Sequence, residues 1–135
     1  MEHKAVALKE RTKQFALRVI RLSRALPASP EGRVIGNQLL RSATSVAANY
    51  RAVCRARSRA EFVSKLGVVI EEADESSLWL ELLADSKVMP ECLLSDLKSE
   101  ANQLVAILNA SRTTAKKAFH SKINNQKSTI GEDHG

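Results

Sequence analysis

The sequence predicts an all-α protein, an up-down-up-down antiparallel four-helix bundle with a disordered C-terminal tail. Three observations lead there. Hydrophobic residues make up 44% of the 135-residue chain but aromatic ones only 4%, so the interior is filled by Leu, Val, Ile and Ala, which suits helix-on-helix packing. Apolar residues recur at three- and four-residue spacing along four separate segments. Short connections join these segments, and short connections between long amphipathic helices make neighbours antiparallel. One domain, residues 1–119, is expected, with a polar tail over 120–135.

The first helix is predicted from about residue 4 to 26, where Leu8, Phe15, Val19, Leu22 and Leu26 form one arc and Pro27 ends it. In "ASPEG", Ser29 is the expected N-cap, Pro30 takes the first helical position and Glu31 meets the positive first turn, so a second helix runs over 30–57. Ser58 and Glu61 have the S-x-x-E spacing of a capping box, in which each side chain satisfies the other's free backbone amide. They open a third helix over 59–86 with Phe62, Leu66, Val69, Ala73, Leu80 and Leu83 as its core stripe. Pro90 is expected to start the fourth helix, 90–118, along a seam of Leu93, Leu97, Ala101, Leu104, Leu108, Ser111 and Ala115. Beyond Phe119 the chain is polar and without periodicity.

Two faces of these helices are unusual. Gln38, Ser42, Ser45 and Asn49 make a polar strip along one edge of the second helix, beside its Ile35, Leu39, Val46 and Val53 stripe. Covered amides and hydroxyls cost roughly 1–3 kcal/mol each when unpaired, so the strip is expected to form a hydrogen-bond ladder that fixes helix register, with Arg41 close enough to join. On the third helix, Trp79, Leu78 and Leu82 lie off the core stripe and share a side with Glu72 and Glu75. Large apolar residues flanked by charge point to a subunit interface made by Glu72, Glu75, Trp79 and Leu82; the competing reading has Trp79 cap the bundle's end.

Chemistry is harder to find. The histidines are His3, His120 and His134, all near the ends, so neither a di-iron site nor a phosphotransfer histidine at mid-helix is expected. A Ser or Cys nucleophile would lack a nearby His base. The carboxylates of "EEADE" point in different directions around a helix and read as a solvated face rather than a cation site. No metal, cofactor or catalytic residue is therefore predicted, and no enzymatic activity. Cys54 and Cys92 have no paired spacing and read as packing residues carrying free thiols. The N-terminus has no apolar core and no run approaches the ~20 residues of a bilayer span, so no membrane attachment and a cytoplasmic location are expected.

Charge is the remaining signal. The net +6 divides into +9 over residues 1–57, −5 over 58–86 and +2 beyond. Arg18, Arg21 and Arg24 on helix one, Arg41, Arg51 and Arg55 on helix two, and Arg57 and Arg59 at the following connection are the candidate nucleic-acid-binding residues. Aromatic residues scarcely interleave with them, so backbone-directed contact of weak sequence specificity is all they support. Three readings stay open at this level: a handle for RNA or DNA, a scaffold whose basic surface meets an acidic protein partner, and a merely solvated helix face.

The stretch "NQLLRSATSVAANYRAVCRARSRAEFVSKLG" through "EADESSLWLELL" carries Gln38, Arg41, Ser45 and Asn49 in the pattern Q-x-x-R-x-x-x-S-x-x-x-N, then Ser58, Glu61, Phe62, Leu66 and Glu75. Over about residues 8–115 the chain resembles the bacterial four-helix-bundle family associated with intervening sequences in 23S rRNA genes, to which the accessory protein of diversity-generating retroelements is similar. The resemblance implies a homopentameric ring with a basic surface or pore, no enzymatic activity, and binding of RNA, DNA or a reverse transcriptase.

Overall fold

The computed structural model describes residues 2–133, with side chains placed for residues 3–125. Four helices follow one another: α1 (Glu2–Ala25), α2 (Pro30–Cys54), α3 (Arg59–Asp85) and α4 (Ser95–Asp133), with one 3-10 turn, Glu91–Leu93, ahead of α4. No strand occurs among the described residues. Consecutive helices pack side by side, α2 against α3 most extensively, whereas α1 and α4 close the ring of helices only sparsely. The bundle is thus tight along three seams and looser along the fourth.

The predicted caps form. Ser29 Oγ accepts from the Gly32 amide at 3.1 Å, with Pro30 opening α2. Gly32 is fitted to that turn: a Cβ there would stand 2.8 Å from the Pro27 carbonyl oxygen and 2.8 Å from Ser29 Oγ. Ser58 Oγ accepts from the Glu61 amide at 3.0 Å, but the return bond differs from the expected box. The Glu61 carboxylate takes the Arg57 amide, one residue earlier, at 3.2 Å. The Lys65 ammonium 3.0 Å away is the largest cause that holds the Glu61 carboxyl below its usual range, with the Arg57 amide second.

Core filling follows the apolar stripes closely. Phe15, Val19, Leu39, Val46, Val53, Leu66, Val69, Leu80, Leu83, Leu104 and Leu108 are almost completely buried in one continuous cluster. Burial of a side chain of this size contributes roughly 1.5–3 kcal/mol, so this seam supplies most of what holds the helices together. Phe62 and Trp79 are half-buried against its margin.

Several boundaries move. α2 stops at Cys54 rather than 57, because Arg55 turns out of helical geometry and the connection to Ser58 begins there. Pro90 precedes the 3-10 turn instead of opening α4, which leaves Leu93 exposed rather than on the seam. Lys87, at φ 60, turns the chain after α3. The backbone of α4 continues helically to Asp133, past the boundary at 119. Its packed part still ends near the expected place, since no described side chain after Ala115 is buried. Cys54 and Cys92 are both exposed thiols, so the expectation that they are packing residues is corrected. His134 and Gly135 lie outside the described residues.

Candidate nucleic-acid interface

Antiparallel stacking decides which cations meet. The start of α1, the end of α2, the start of α3 and the packed end of α4 share one end of the bundle, as a single cleft lined by Lys4, Tyr50, Arg59 and Ala115 requires. That end gathers Lys4 and Lys9 from α1, Arg51 from α2, Arg55 and Arg57 at the connection, Arg59 from α3, and Arg112, Lys116 and Lys117 from α4. Among the described side chains, Glu10 and Glu61 stand against them. At the opposite end Arg21, Arg24, Arg33, Lys87 and Lys98 alternate with Glu31, Glu81, Asp85, Glu91 and Asp96. The molecule is therefore electrostatically polar along its axis, with one strongly positive end.

The eight arginines singled out by sequence do not form one surface. Arg18, Arg21 and Arg24 sit near the α1–α2 turn, and at 1.5 Å per helical residue that is some 30 Å from the Arg51–Arg59 group. Arg51, Arg55 and Arg59 are exposed and make no ion pair with any described residue, while Arg57 lies 4.0 Å from the Glu61 carboxylate. Unpaired, solvated guanidinium groups remain available to phosphate oxygens.

Arg41 belongs elsewhere. Its guanidinium reaches across to α3, with Nη1 donating to Glu72 Oε2 at 3.2 Å and Nη2 donating to Glu75 Oε1, while Nε donates to Gln38 Oε1 at 3.1 Å. Trp79 Nε1 donates to the same Glu75 oxygen at 3.2 Å. These bonds, the Glu75 hydrogen bond first, raise the Arg41 pKa above its ordinary value and keep the group charged. Beneath the ion pairs, Ser42 Oγ and Ser76 Oγ share a buried hydrogen bond of 2.8 Å, and Ser76 also donates to the Glu72 carbonyl. Asn49 closes back on Ser45 within α2, Nδ2 to Oγ at 2.8 Å.

Gln38 and Ser42 of the polar strip thus join Arg41, Ser76, Glu72, Glu75 and Trp79 in one network on the α2–α3 face, whereas Ser45 and Asn49 bond only to each other within α2. Val34, Val68, Leu78 and Leu82 are exposed hydrophobic residues on the same two helices. Sequence reasoning did not find Ser76, the Ser77–Asn102 bond at 2.9 Å between α3 and α4, or the Arg11–Glu100 pair at 2.7 Å between α1 and α4. Residue pairs so far apart in sequence leave no periodic trace; only a register count along antiparallel helices would have brought them together.

The basic end is also hollow. A cleft of about 470 Å³ opens there between all four helices, with Leu8, Val53 and Phe62 among its walls. Tyr50 is a buried lining residue, and burial, the main cause, with Cys54 beside it, pushes the phenol up to about 12. Among the described residues no three His, Cys, Asp or Glu side chains converge as a metal site would need, and no helix is long and apolar enough to cross a membrane.

Comparison with known proteins gives two findings. A family model described as 23S rRNA-intervening sequence protein matches residues 4–110. A crystal structure of a protein with unknown function from the S23 ribosomal protein family of Bacteroides thetaiotaomicron superposes with a TM-score of 0.75 at 30% sequence identity, covering 82% of this chain and 98% of that one. No curated protein matches the chain.

Proposed function

The chain belongs to the 23S rRNA-intervening sequence protein family, and from that premise we propose that it is a non-enzymatic, cytoplasmic, homo-oligomeric four-helix bundle that binds RNA or DNA through its basic end. The observation that carries the reading is the gathering of cations from all four helices at one end of the bundle, with Glu10 and Glu61 the acids among the described side chains there. Phosphate backbones respond to such a field whatever their sequence, so contact is weak per subunit and steeply salt-dependent.

Oligomerisation strengthens it. The α2–α3 face, with Arg41, Glu72, Glu75, Trp79 and Leu82 beside the exposed Leu78 and Val68, has the mixed apolar and charged make-up of a subunit contact. A homopentameric ring would set five basic ends side by side and multiply their phosphate contacts by effective concentration. A reverse transcriptase or another nucleic-acid enzyme is the natural protein partner of such a ring.

The test is native mass by light scattering during size exclusion, first alone and then with RNA. With a protomer of 14.8 kDa, a pentamer elutes at about 74 kDa and shifts further when RNA is added. A monomer that ignores RNA and instead retains an acidic protein at physiological salt would replace this reading with that of a protein-interaction scaffold.

A further inference from the structure

The cleft at the basic end is suited to something more selective than a phosphate backbone. All four helices contribute to it, and α1 and α4 pack only sparsely against each other. Its size falls within the ~300–1,000 Å³ usual for ligand sites. Four kinds of group line it. The walls are apolar and include the aromatic residues Tyr50 and Phe62; hydroxyls come from Ser58 and, on α4, from Ser111 and Thr114; Cys54 brings a thiol; and the two charged side chains, Lys4 and Arg59, are exposed cations. No carboxylate occurs among its described lining residues.

Each feature narrows the occupant. Two cations with no acid call for an anion. Apolar and aromatic walls behind them call for a flat or greasy body attached to that anion. Hydroxyls in the wall would be wasted on an acyl chain but can bond the edge of a heterocycle. A duplex end cannot enter, because its bases are already stacked and paired, whereas an unpaired nucleotide can turn its base inward and leave its phosphate outside.

We propose that this cleft receives one unpaired nucleobase of a single-stranded nucleic acid, its face against Phe62, its edge toward the hydroxyls of Tyr50, Ser111 and Thr114, and its phosphate between Lys4 and Arg59. The inference rests on the reading of the basic end as a nucleic-acid surface and adds to it a preference for single strands. Tyr50 serves as a neutral donor and acceptor, since burial keeps the phenol protonated through the physiological range.

The experiment is fluorescence anisotropy of the full-length protein with three labelled probes at one fixed salt concentration: a short single-stranded RNA, an abasic ribose-phosphate strand of the same length, and an RNA duplex. Stacking of one base predicts that the base-bearing strand binds about tenfold more tightly than the abasic strand. Thr114→Trp, at an exposed lining position, should fill the cleft and bring the base-bearing strand down to the abasic level without weakening the abasic strand. Equal binding of the two strands by the unaltered protein overturns the nucleobase site and leaves phosphate binding intact. A preference that survives in Thr114→Trp overturns this cleft as its location. Binding of none of the three probes overturns the nucleic-acid reading itself, and the inference falls with it.

Discussion

Arg41 and Glu75 join α2 to α3 across the only face of the bundle where the polar strip, the acidic residues and Trp79 meet: Arg41 Nη2 donates to the carboxylate oxygen that also accepts from Trp79 Nε1. Both partners are solvent-accessible in the single chain, with Arg41 about half exposed. An exposed pair of this kind contributes little on its own. Covered by a second copy, the pair would be desolvated, so that replacing Arg41 would strand the Glu72 and Glu75 carboxylates within the contact. Arg41→Glu should therefore leave helicity by circular dichroism unchanged while shifting the light-scattering mass toward the 14.8 kDa protomer. An unaltered oligomer mass would remove this face from the interface.

The two ends of the molecule should behave differently toward nucleic acid. Arg51→Glu combined with Arg55→Glu is expected to abolish RNA binding in an anisotropy titration, since both groups are exposed at the positive end and face no described carboxylate. Arg21→Glu combined with Arg24→Glu makes the same change in formal charge at the balanced end and should cost far less affinity. If the two double variants lose binding equally, net charge rather than its polarity along the axis governs the interaction.

Ser42 and Ser76 test the register-fixing part of the strip. Ser42→Ala removes one side of a buried hydroxyl pair and should cost roughly 0.5–1.5 kcal/mol in urea unfolding. Ser76→Ala should cost a similar amount. The double variant should cost less than the two added together, because neither hydroxyl is then left without its partner.

Glycine substitutions separate helix propensity from fit. Gly67→Ala places its Cβ 3.4 Å from the Arg112 guanidinium, an ordinary contact, and should stabilise by up to about 1 kcal/mol, as removing a helical glycine usually does. Gly32→Ala is expected to lower the melting temperature instead, because its Cβ would press on the Pro27 carbonyl and the N-cap of α2.

Acid should reach the α2–α3 connection through Glu61. Its carboxyl is held below the usual value by Lys65 and then by the Arg57 amide. A group whose folded pKa is depressed contributes stability above its unfolded value, about 4.3, and loses that contribution as pH falls through the folded value. Between pH 7 and 5 the difference in melting temperature between the native chain and Glu61→Gln should stay constant, and it should narrow on further acidification.

Much of the architecture was legible because it is local. The stripe of Phe15 and Val19, that of Leu66, Val69 and Leu80, and the caps at Ser29 and Ser58 are each written within a few turns of chain, where period 3.6 and one hydroxyl suffice. Legibility ended where a residue's partner lay on another helix. Arg41 read as an outward cation close enough to join the polar strip, but its bonds to Glu72 and Glu75 needed α3 brought opposite it, and Cys54 read as packing although the fold leaves it exposed.

The sequence by itself determined four amphipathic helices, their order, their short connections and an excess of positive charge. Only the tertiary structure decided that this charge collects at one end, that Gln38, Arg41 and Ser42 join the carboxylates of α3 in a single network, and that a cleft opens beside the cations. The reason is physical: periodicity records which face of a helix meets apolar surroundings, whereas charge polarity and cavities depend on which ends of different helices are stacked together, a consequence of antiparallel register that no single segment contains.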